Sequence, residues 1–445
     1  MHWGTAAEGW GGTYRAMVSS KMYQRVQDLF ESICDLNTID RAEVLKRECA
    51  DDDEVRHEVE ALLAAHDGAG EFLEHPTVDH KRVKSIPPSE ARIGEGPGTV
   101  IGRYKLLQQI GEGGFGVVFM AQQVMPVKRK VALKIIKLGM DTKQVIARFE
   151  AERQALAMMD HPNIAAVLDG GATDTGRPYF VMELVRGDPI TEYCDRERLS
   201  AEERLQLFKQ VCYAIQHAHQ KGIIHRDLKP SNVLVTMANN TPLVKVIDFG
   251  IAKATNSELT ERTLFTEFRQ LIGTPEYMSP EQSDRSATDI DTRSDIYSLG
   301  VLLYELLTGT TPVDTSRLRS AAWNEIEEII RDEDPPVPSS RVSTLGNQLP
   351  TVAKLRSVDP RRLGSVLKGE LDWIVMKALD KDRNRRYQTA ISLAHDIDRF
   401  IKDQPVEAGP PTAGYRLSKF MKRFRAPLTA AALVLSVLLI GLIST

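Results

Sequence analysis

The eight residues His225-Arg-Asp-Leu-Lys-Pro-Ser-Asn232 constrain this chain more than any other stretch of it. Within six positions they set a carboxylate, an ammonium and a carboxamide, at Asp227, Lys229 and Asn232. Such a trio can orient a hydroxyl, neutralise a transferring phosphoryl group and hold a divalent cation. Pro230 among these groups, and Val233-Leu-Val235 after them, predict a loop running into a strand and not a helix.

The composition allows a folded frame for such a loop. At 445 residues, 42% hydrophobic and 27% charged, the chain has the balance of a globular protein of two or three units. A net charge of −4, with no basic stripe interleaved with aromatics, sets aside a nucleic-acid binder. Cys34, Cys49, Cys194 and Cys212 lie far apart without metal-ligand spacing, so they read as reduced thiols rather than a zinc site.

Residues 1–20 hold glycine and tryptophan but no apolar core, so they read as a disordered lead and not a secretory signal, with Met17 a candidate start. Residues 21–73 form a small helical module, with Met22, Val26, Leu29 and Ile33, then Val55, Val59, Leu62 and Leu63, at helical spacing. It is either a docking element or a packing appendage. The prolines of 74–99 mark a linker.

From Tyr104 the pattern turns to strands. Leu106–Ile110 enters Gly111-Glu-Gly113-Gly-Phe-Gly116 and leaves through Val117-Val-Phe119. A β-branched run after the third glycine fits a strand–loop–strand hairpin better than a dinucleotide fold, and the missing Gly-Lys-Ser/Thr excludes a P-loop. Glycines there let backbone N–H groups approach phosphate oxygens without a Cβ in the way. Lys134 sits inside the apolar strand Val131–Ile136, so it needs a partner. The helical segment Val145–Met159 offers Glu150 and Glu152. Tyr179–Val185 is a further strand, and Leu205–His219 is a helix with Phe208, Val211, Cys212 and Ile215 on one stripe. His217 and His219 on that helix read as structural groups. Val244–Gly250 ends a strand in Asp248, residues 251–272 have little to bury, and Gly273–Glu281 closes them. Asp295 leads a very apolar helix and so needs backbone N–H partners. Residues 310–368 suggest no chemistry. Leu371–Leu379 and Thr389–Ile401 predict two closing helices with Arg383, Arg385 and Arg386 between them.

Taken together, residues 104–401 resemble the protein kinase family, and most of all its bacterial, eukaryotic-like serine/threonine members. The resemblance implies an α+β, bilobal kinase fold, with a β-rich N-lobe and a helical C-lobe, and an enzyme using ATP and Mg²⁺. It implies that Gly111, Gly113 and Gly116, flanked by Ile110 and Val118, cover the ATP phosphates, and that Lys134 contacts phosphate while paired to Glu152. Ala132, the gatekeeper Met182, and main-chain groups of Glu183 and Val185 would line the adenine site. Asp227 would take the substrate hydroxyl's proton, Lys229 would neutralise the γ-phosphate, and Asn232 with Asp248 would hold Mg²⁺. Lys229 and Thr274 look like the serine/threonine pattern. Ser279 departs from the family's usual Ala before Pro280-Glu281, a mild change that still lets Glu281 pair with Arg386. Arg226 beside Asp227 implies regulation by autophosphorylation at Thr255, Thr260, Thr263 or Thr266, with a second copy of the chain as partner. The competing reading is a catalytically silent, kinase-like scaffold, although no required polar group is missing.

Residues 426–443 carry no charge and are dominated by Leu, Ala, Val and Ile. As a helix they would reach roughly 27 Å, just enough for a hydrocarbon core of about 30 Å. Arg416, Lys419, Lys422, Arg423 and Arg425 precede them in a basic juxtamembrane segment, 402–425, that should attract anionic lipid by about 1 kcal/mol per cation. A single-pass transmembrane helix with the kinase domain on the cytoplasmic side of the cell membrane is the expectation, and a buried core helix is its rival. The chain would then be a tail-anchored kinase or, as in many relatives of this type, part of a longer membrane protein.

Overall fold

The computed structural model describes residues 95–113, 116–136, 159–249, 274–284, 290–410 and 412–423, with scattered positions between 29 and 59. The chain divides into two compact units, residues 1–90 and 91–445. In the first, Leu45, Cys49, Val55 and Val59 are buried together, with Leu29 and Val44 packed against them. The spacing that predicted a helix around Val55 and Val59 thus corresponds to an apolar seam.

The second unit begins with a six-stranded antiparallel sheet. Its strands are β1 (Val100–Ile101), β2 (Tyr104–Gly113), β3 (Gly116–Gln123), β4 (Arg129–Ile136), β5 (Val167–Ala172) and β6 (Pro178–Glu183), in the spatial order β1-β2-β3-β4-β6-β5. Side chains alternate across such a sheet, and the burial follows that period. Val117, Phe119, Ala121, Val131, Leu133, Ile135, Tyr179 and Val181 share one core. Ile136 and Phe180, on the opposite face, belong to the larger core of the helical part. The sheet therefore turns one face inward upon itself and the other toward the second lobe.

That second lobe contains a small sheet, β7 (Asp188–Pro189), β8 (Val233–Ala238) and β9 (Thr241–Val246), and helices α1 (Ile190–Arg196), α2 (Ala201–Gln220), α3 (Pro280–Ser283) and α4 (Thr292–Thr308). After these come α5 (Thr315–Ser320), α6 (Trp323–Asp332), α7 (Pro338–Ser343), α8 (Leu349–Leu355), α9 (Pro360–Leu367), α10 (Glu370–Ala378), α11 (Ala390–Ile401) and α12 (Ala413–Arg423). The predicted stripe of α2 is buried throughout, and its start is set by reciprocal bonds between Ser200 and Glu203. The α+β, two-lobed architecture expected from the sequence is present.

Helix α4 is the axis of the lobe, buried along nearly its whole length. Its first turn is capped by Asp291, which accepts from the Arg293 N–H at 2.8 Å, and it ends at Gly309 with φ +81°. Its last carbonyls meet two buried cations. Arg204 donates to Leu306 O at 3.3 Å, and Arg356 donates to Leu306 O at 3.0 Å and Leu307 O at 2.5 Å. Positive charge belongs at a helix C-terminus, where the peptide dipoles present their negative end. Burial still pushes the Arg356 guanidinium down to about 10. Residues 310–368, unassigned from sequence, form the short helices α5 to α9; pieces of six to ten residues leave little periodicity to read.

Residues flanking the predicted domain also pack on it. Glu95, in the predicted linker, is buried and pairs with Arg177 at 2.9 Å. At the other end α12 lies beyond Ile401 and is tied to α10. Among the described residues no helix is long and apolar enough to cross a membrane. The predicted span 426–443 and the segment 251–272, which has little to bury, lie outside those residues.

Arg386 meets Glu281 in two parallel bonds, at 2.7 and 2.9 Å, as expected from the sequence. The Arg386 side chain is fully buried, and Ser294 adds a hydroxyl donor to Glu281 at 2.7 Å. Burial works to raise the Glu281 carboxyl, but the Arg386 bonds outweigh it and hold it below its ordinary 4.5. Arg386→Met should therefore cost about 3–5 kcal/mol in urea unfolding, because it leaves a buried carboxylate uncompensated. A depressed acid contributes its stability above the unfolded-state value and loses it as pH falls through the folded one. The gap between wild type and Arg386→Met should be smallest in acid, where Glu281 is protonated in both, and widen as pH rises through and beyond 4.5.

Candidate active site

The face of the upper sheet that looks toward the helical lobe carries the polar exception of an apolar strand. Lys134 lies opposite Val118 on β3 and Phe180 on β6, and Ala132 lies opposite Met182. Cross-strand partners share a face, so Val118, Ala132, Lys134 and Met182 line one surface together. β6 ends at Glu183, whose N–H donates to Ala166 O at 2.9 Å and whose carboxylate pairs with Lys245 at 2.9 Å. Leu184 to Gly187, including Val185, belong to no strand, and their backbone groups are outside the sheet pairing.

The glycines of the hairpin between β2 and β3 differ in what constrains them. A Cβ on Gly116 would come within 2.4 Å of Ile135 O, so packing against β4 alone requires a glycine. At Gly113 a Cβ would meet nothing within 4 Å, and at Gly111 only an ordinary contact with Val118. Among the described residues no neighbour requires those two, which leaves room for something arriving from outside. Ile110 is 48% exposed at the same edge.

Below this surface lies the loop 225–232. Asp227 pairs with Lys229 at 2.9 Å. Asn232 donates through Nδ2 to Asp227 O at 2.7 Å and to Asp227 Oδ2 at 3.2 Å. Its main chain accepts from Ile247 N at 2.9 Å, which sets Asp248 beside it. Asp248, at φ +57°, then forms an ion pair with Lys134 of the upper sheet. Lys134 thus has the carboxylate partner its place in an apolar strand demands. Glu152, the expected partner, lies outside the described residues, as do Gly114 and Phe115 of the hairpin.

Three groups not assigned to the site from sequence hold this loop. The Asp295 carboxylate, fully buried at the start of α4, accepts from the backbone N–H of His225 at 2.8 Å and of Arg226 at 2.9 Å. His219 Nε2 donates to it at 2.8 Å. The N–H partners required for Asp295 are therefore those of the loop and not those of its own helix, which Asp291 caps. Burial would raise the Asp295 carboxyl, but the His219 bond and the loop amides hold it below its usual range. His225, also buried, donates Nε2–H to Ile247 O at 3.2 Å and accepts the Asp227 N–H on Nδ1 at 3.3 Å. Burial keeps its imidazole below the ordinary value, as a neutral ring with two different roles requires. Arg226 consequently sits at φ +63°, a strained conformation for a residue with a Cβ.

Asn163, to which the sequence reading gave no role, donates to Val244 O at 2.9 Å and to Gln210 at 3.0 Å. Its own carbonyl accepts from Val246 N at 2.8 Å, and Ala165 N donates to Val246 O at 2.9 Å. The segment entering the upper sheet is thereby bonded to β9, the strand that delivers Asp248. A small cleft beside Asp227 is lined by Arg226, Leu228, Thr274, Tyr277, Met278 and Gln282. Gln282 closes it by donating to Arg226 O at 2.9 Å while accepting from the N–H and hydroxyl of Ser279, both at 3.1 Å. The unusual Ser279 is thus part of this tie.

The donor set fits a hard divalent cation and a polyphosphate. Asn232 commits its nitrogen to Asp227 and so leaves Oδ1 for a cation, next to the Asp248 carboxylate, and Mg²⁺ takes such oxygens. Two ammonium groups join the set, Lys134 paired with Asp248 and Lys229 with Asp227.

Residues 104–397 match the protein kinase domain family. The chain is 36% identical over 312 residues to the serine/threonine-protein kinase PknB of Mycobacterium leprae, covering 69% of this chain and 44% of that protein. It is 36% identical over 305 residues to the serine/threonine-protein kinase pkn3 of Myxococcus xanthus, covering 67% of this chain and 53% of that one. The chain thus spans about half the length of these relatives. The crystal structure of the Mycobacterium tuberculosis PknI kinase domain is similar over 68% of this chain and 99% of that one, at 24% identity and a TM-score of 0.48. With a family match over most of its length and relatives above 30% identity, this chain belongs to the protein kinase family.

Proposed function

We propose that the chain is an ATP- and Mg²⁺-dependent kinase that phosphorylates serine or threonine on proteins, tethered to the cell membrane with its kinase domain in the cytoplasm. The observation that carries the activity is the meeting of Lys134, from the upper sheet, with Asp248, whose neighbour Ile247 is bonded to Asn232, which is bonded in turn to Asp227, the partner of Lys229. Phosphoryl transfer asks a protein for in-line positioning and charge neutralisation more than for covalent chemistry, and these groups supply both.

In this reading Asp227 accepts the proton of a substrate hydroxyl that enters along the cleft lined by Thr274 and Met278. Lys229, 2.9 Å from Asp227, holds positive charge where the phosphoryl group would pass. Lys134 would move from Asp248 toward the α- and β-phosphates when nucleotide arrives, pairing with Glu152, while Val118, Ala132 and Met182 enclose the base. Main-chain groups at Glu183 and Val185 would read its edge, and the hairpin of Ile110, Gly111, Gly113 and Gly116 would cover the phosphates. Asn232 and Asp248 would hold Mg²⁺, which neutralises the charge on the phosphate oxygens.

Regulation would come from the segment 251–272. Arg226 has both backbone groups fixed, its N–H by Asp295 and its carbonyl by Gln282. A phosphate on Thr255, Thr260, Thr263 or Thr266 could pair with its guanidinium and order the segment, a second copy of the chain acting as donor enzyme. The tether would be residues 426–443, with the preceding basic residues on the cytoplasmic side.

Asp227→Asn should lower phosphate transfer from ATP to protein serine or threonine by roughly 10²- to 10⁴-fold, while nucleotide binding stays. Turnover at the wild-type rate would remove Asp227 as the base. Mass-spectrometric mapping of the active enzyme should find phosphate within 251–272. A fully active enzyme unmodified throughout that segment would contradict the regulation.

A further inference from the structure

Beyond Ile401 the chain turns back onto the kinase domain. The buried Asp396 carboxylate of α11 accepts from the backbone N–H of Glu407 at 2.6 Å and of Ala408 at 2.9 Å. The Tyr415 hydroxyl, on α12, accepts from Val406 N at 3.0 Å and donates to Glu370 of α10 at 2.5 Å, and its ring stands edge-on to Trp373 at 5.5 Å. Lys419, one turn further along α12, pairs with Glu370 at 2.6 Å and with Asp403 at 3.4 Å, and is only 8% exposed. The segment read from sequence as a basic juxtamembrane stretch is, as far as Lys419, fastened to the domain.

This helix is built the wrong way round for one that ends in water. Its buried side carries Lys419, whereas Leu417 is 59% exposed and Met421 56%. Those two stand four residues apart and so share one face, away from Tyr415 and Lys419. Scattered exposed apolar residues are ordinary. A stripe of them on a helix whose sequence also carries Arg416, Lys422 and Arg423 has the composition of an interfacial helix. What lies next in the chain fixes the partner. The uncharged run begins at Ala426, three residues past the end of α12, and three extended residues span at most about 10 Å.

We propose that the Leu417–Met421 face of α12 lies in the headgroup layer of an anionic bilayer, holding the kinase domain against the membrane by the α10–α12 side of its helical lobe. This rests on the reading of 426–443 as a membrane span and adds an orientation to it. Because α12 is bonded to α10, the domain does not hang on a loose tether. Lys419, committed to Glu370 and Asp403, is not among the cations that meet lipid.

The full chain carrying Leu417→Cys would be labelled there with an environment-sensitive NBD fluorophore and reconstituted in phosphatidylcholine–phosphatidylserine vesicles. Met237→Cys, 55% exposed on β8, would serve as the aqueous reference. The expected result is a chain that resists alkaline wash, with the label at 417 blue-shifted and quenched by spin-labelled lipid and the label at 237 not. A chain that stays with the vesicles while 417 remains as water-exposed as 237 would overturn the orientation and leave the tether standing. A chain that washes off would overturn the tether and the orientation with it.

Discussion

One buried carboxylate organises the chemistry of this protein. Asp295 is fully buried, and its charge is tolerable because three N–H groups converge on it, two from the loop backbone at His225 and Arg226 and one from His219. Those bonds bend the loop through Arg226 at φ +63°. The strain is held in place because both backbone groups of Arg226 are occupied, one by Asp295 and one by Gln282. Everything the loop presents, Asp227, Lys229 and Asn232, leaves from that bend. The carboxylate itself stands at the start of α4, a helix buried along nearly its whole length, so the loop inherits the rigidity of the core.

Two sheets meet over the loop by different means. On one side Asn163 and Ala165 are hydrogen-bonded to β9, so backbone joins the entry of the upper sheet to the strand that ends near Asp248. On the other side the Lys134–Asp248 ion pair crosses. A backbone ladder cannot easily be exchanged, whereas a partly exposed ion pair can release its lysine to an incoming anion at little cost. That difference suits a cleft that has to admit a charged nucleotide without unmaking the fold.

Much of this was legible in the chain. The loop's trio is readable because it needs three polar types at fixed offsets, and the face of β4 because Val131, Leu133 and Ile135 alternate with Ala132 and Lys134. The Arg386–Glu281 pair followed from the resemblance, and the geometry contains it. What was hidden lay in contacts far apart in sequence. Asp295 visibly needed partners, but nothing near it says that they are amides about 70 residues away. Lys134 needed a carboxylate, and local pattern could not choose between a glutamate on the next helix and Asp248, 114 residues on. Residues 402–425 read as a basic segment whose cations all meet anionic lipid, yet Glu370 and Asp403 bury Lys419 among them. Burial of a single cation is a property of its neighbours, and a sequence shows only the cation.

The claim that Asp295 positions the loop is best tested by steady-state kinetics of Asp295→Asn, with thermal unfolding confirming that the variant is folded. Asparagine keeps the shape but turns one acceptor into a donor facing a backbone N–H, a loss of about 1–3 kcal/mol. The expected result is a kcat lower by roughly 10- to 100-fold with a KM for ATP near the wild-type value, since the nucleotide-facing sheet does not depend on this carboxylate. A folded Asp295→Asn enzyme with the kcat of the wild type would contradict it.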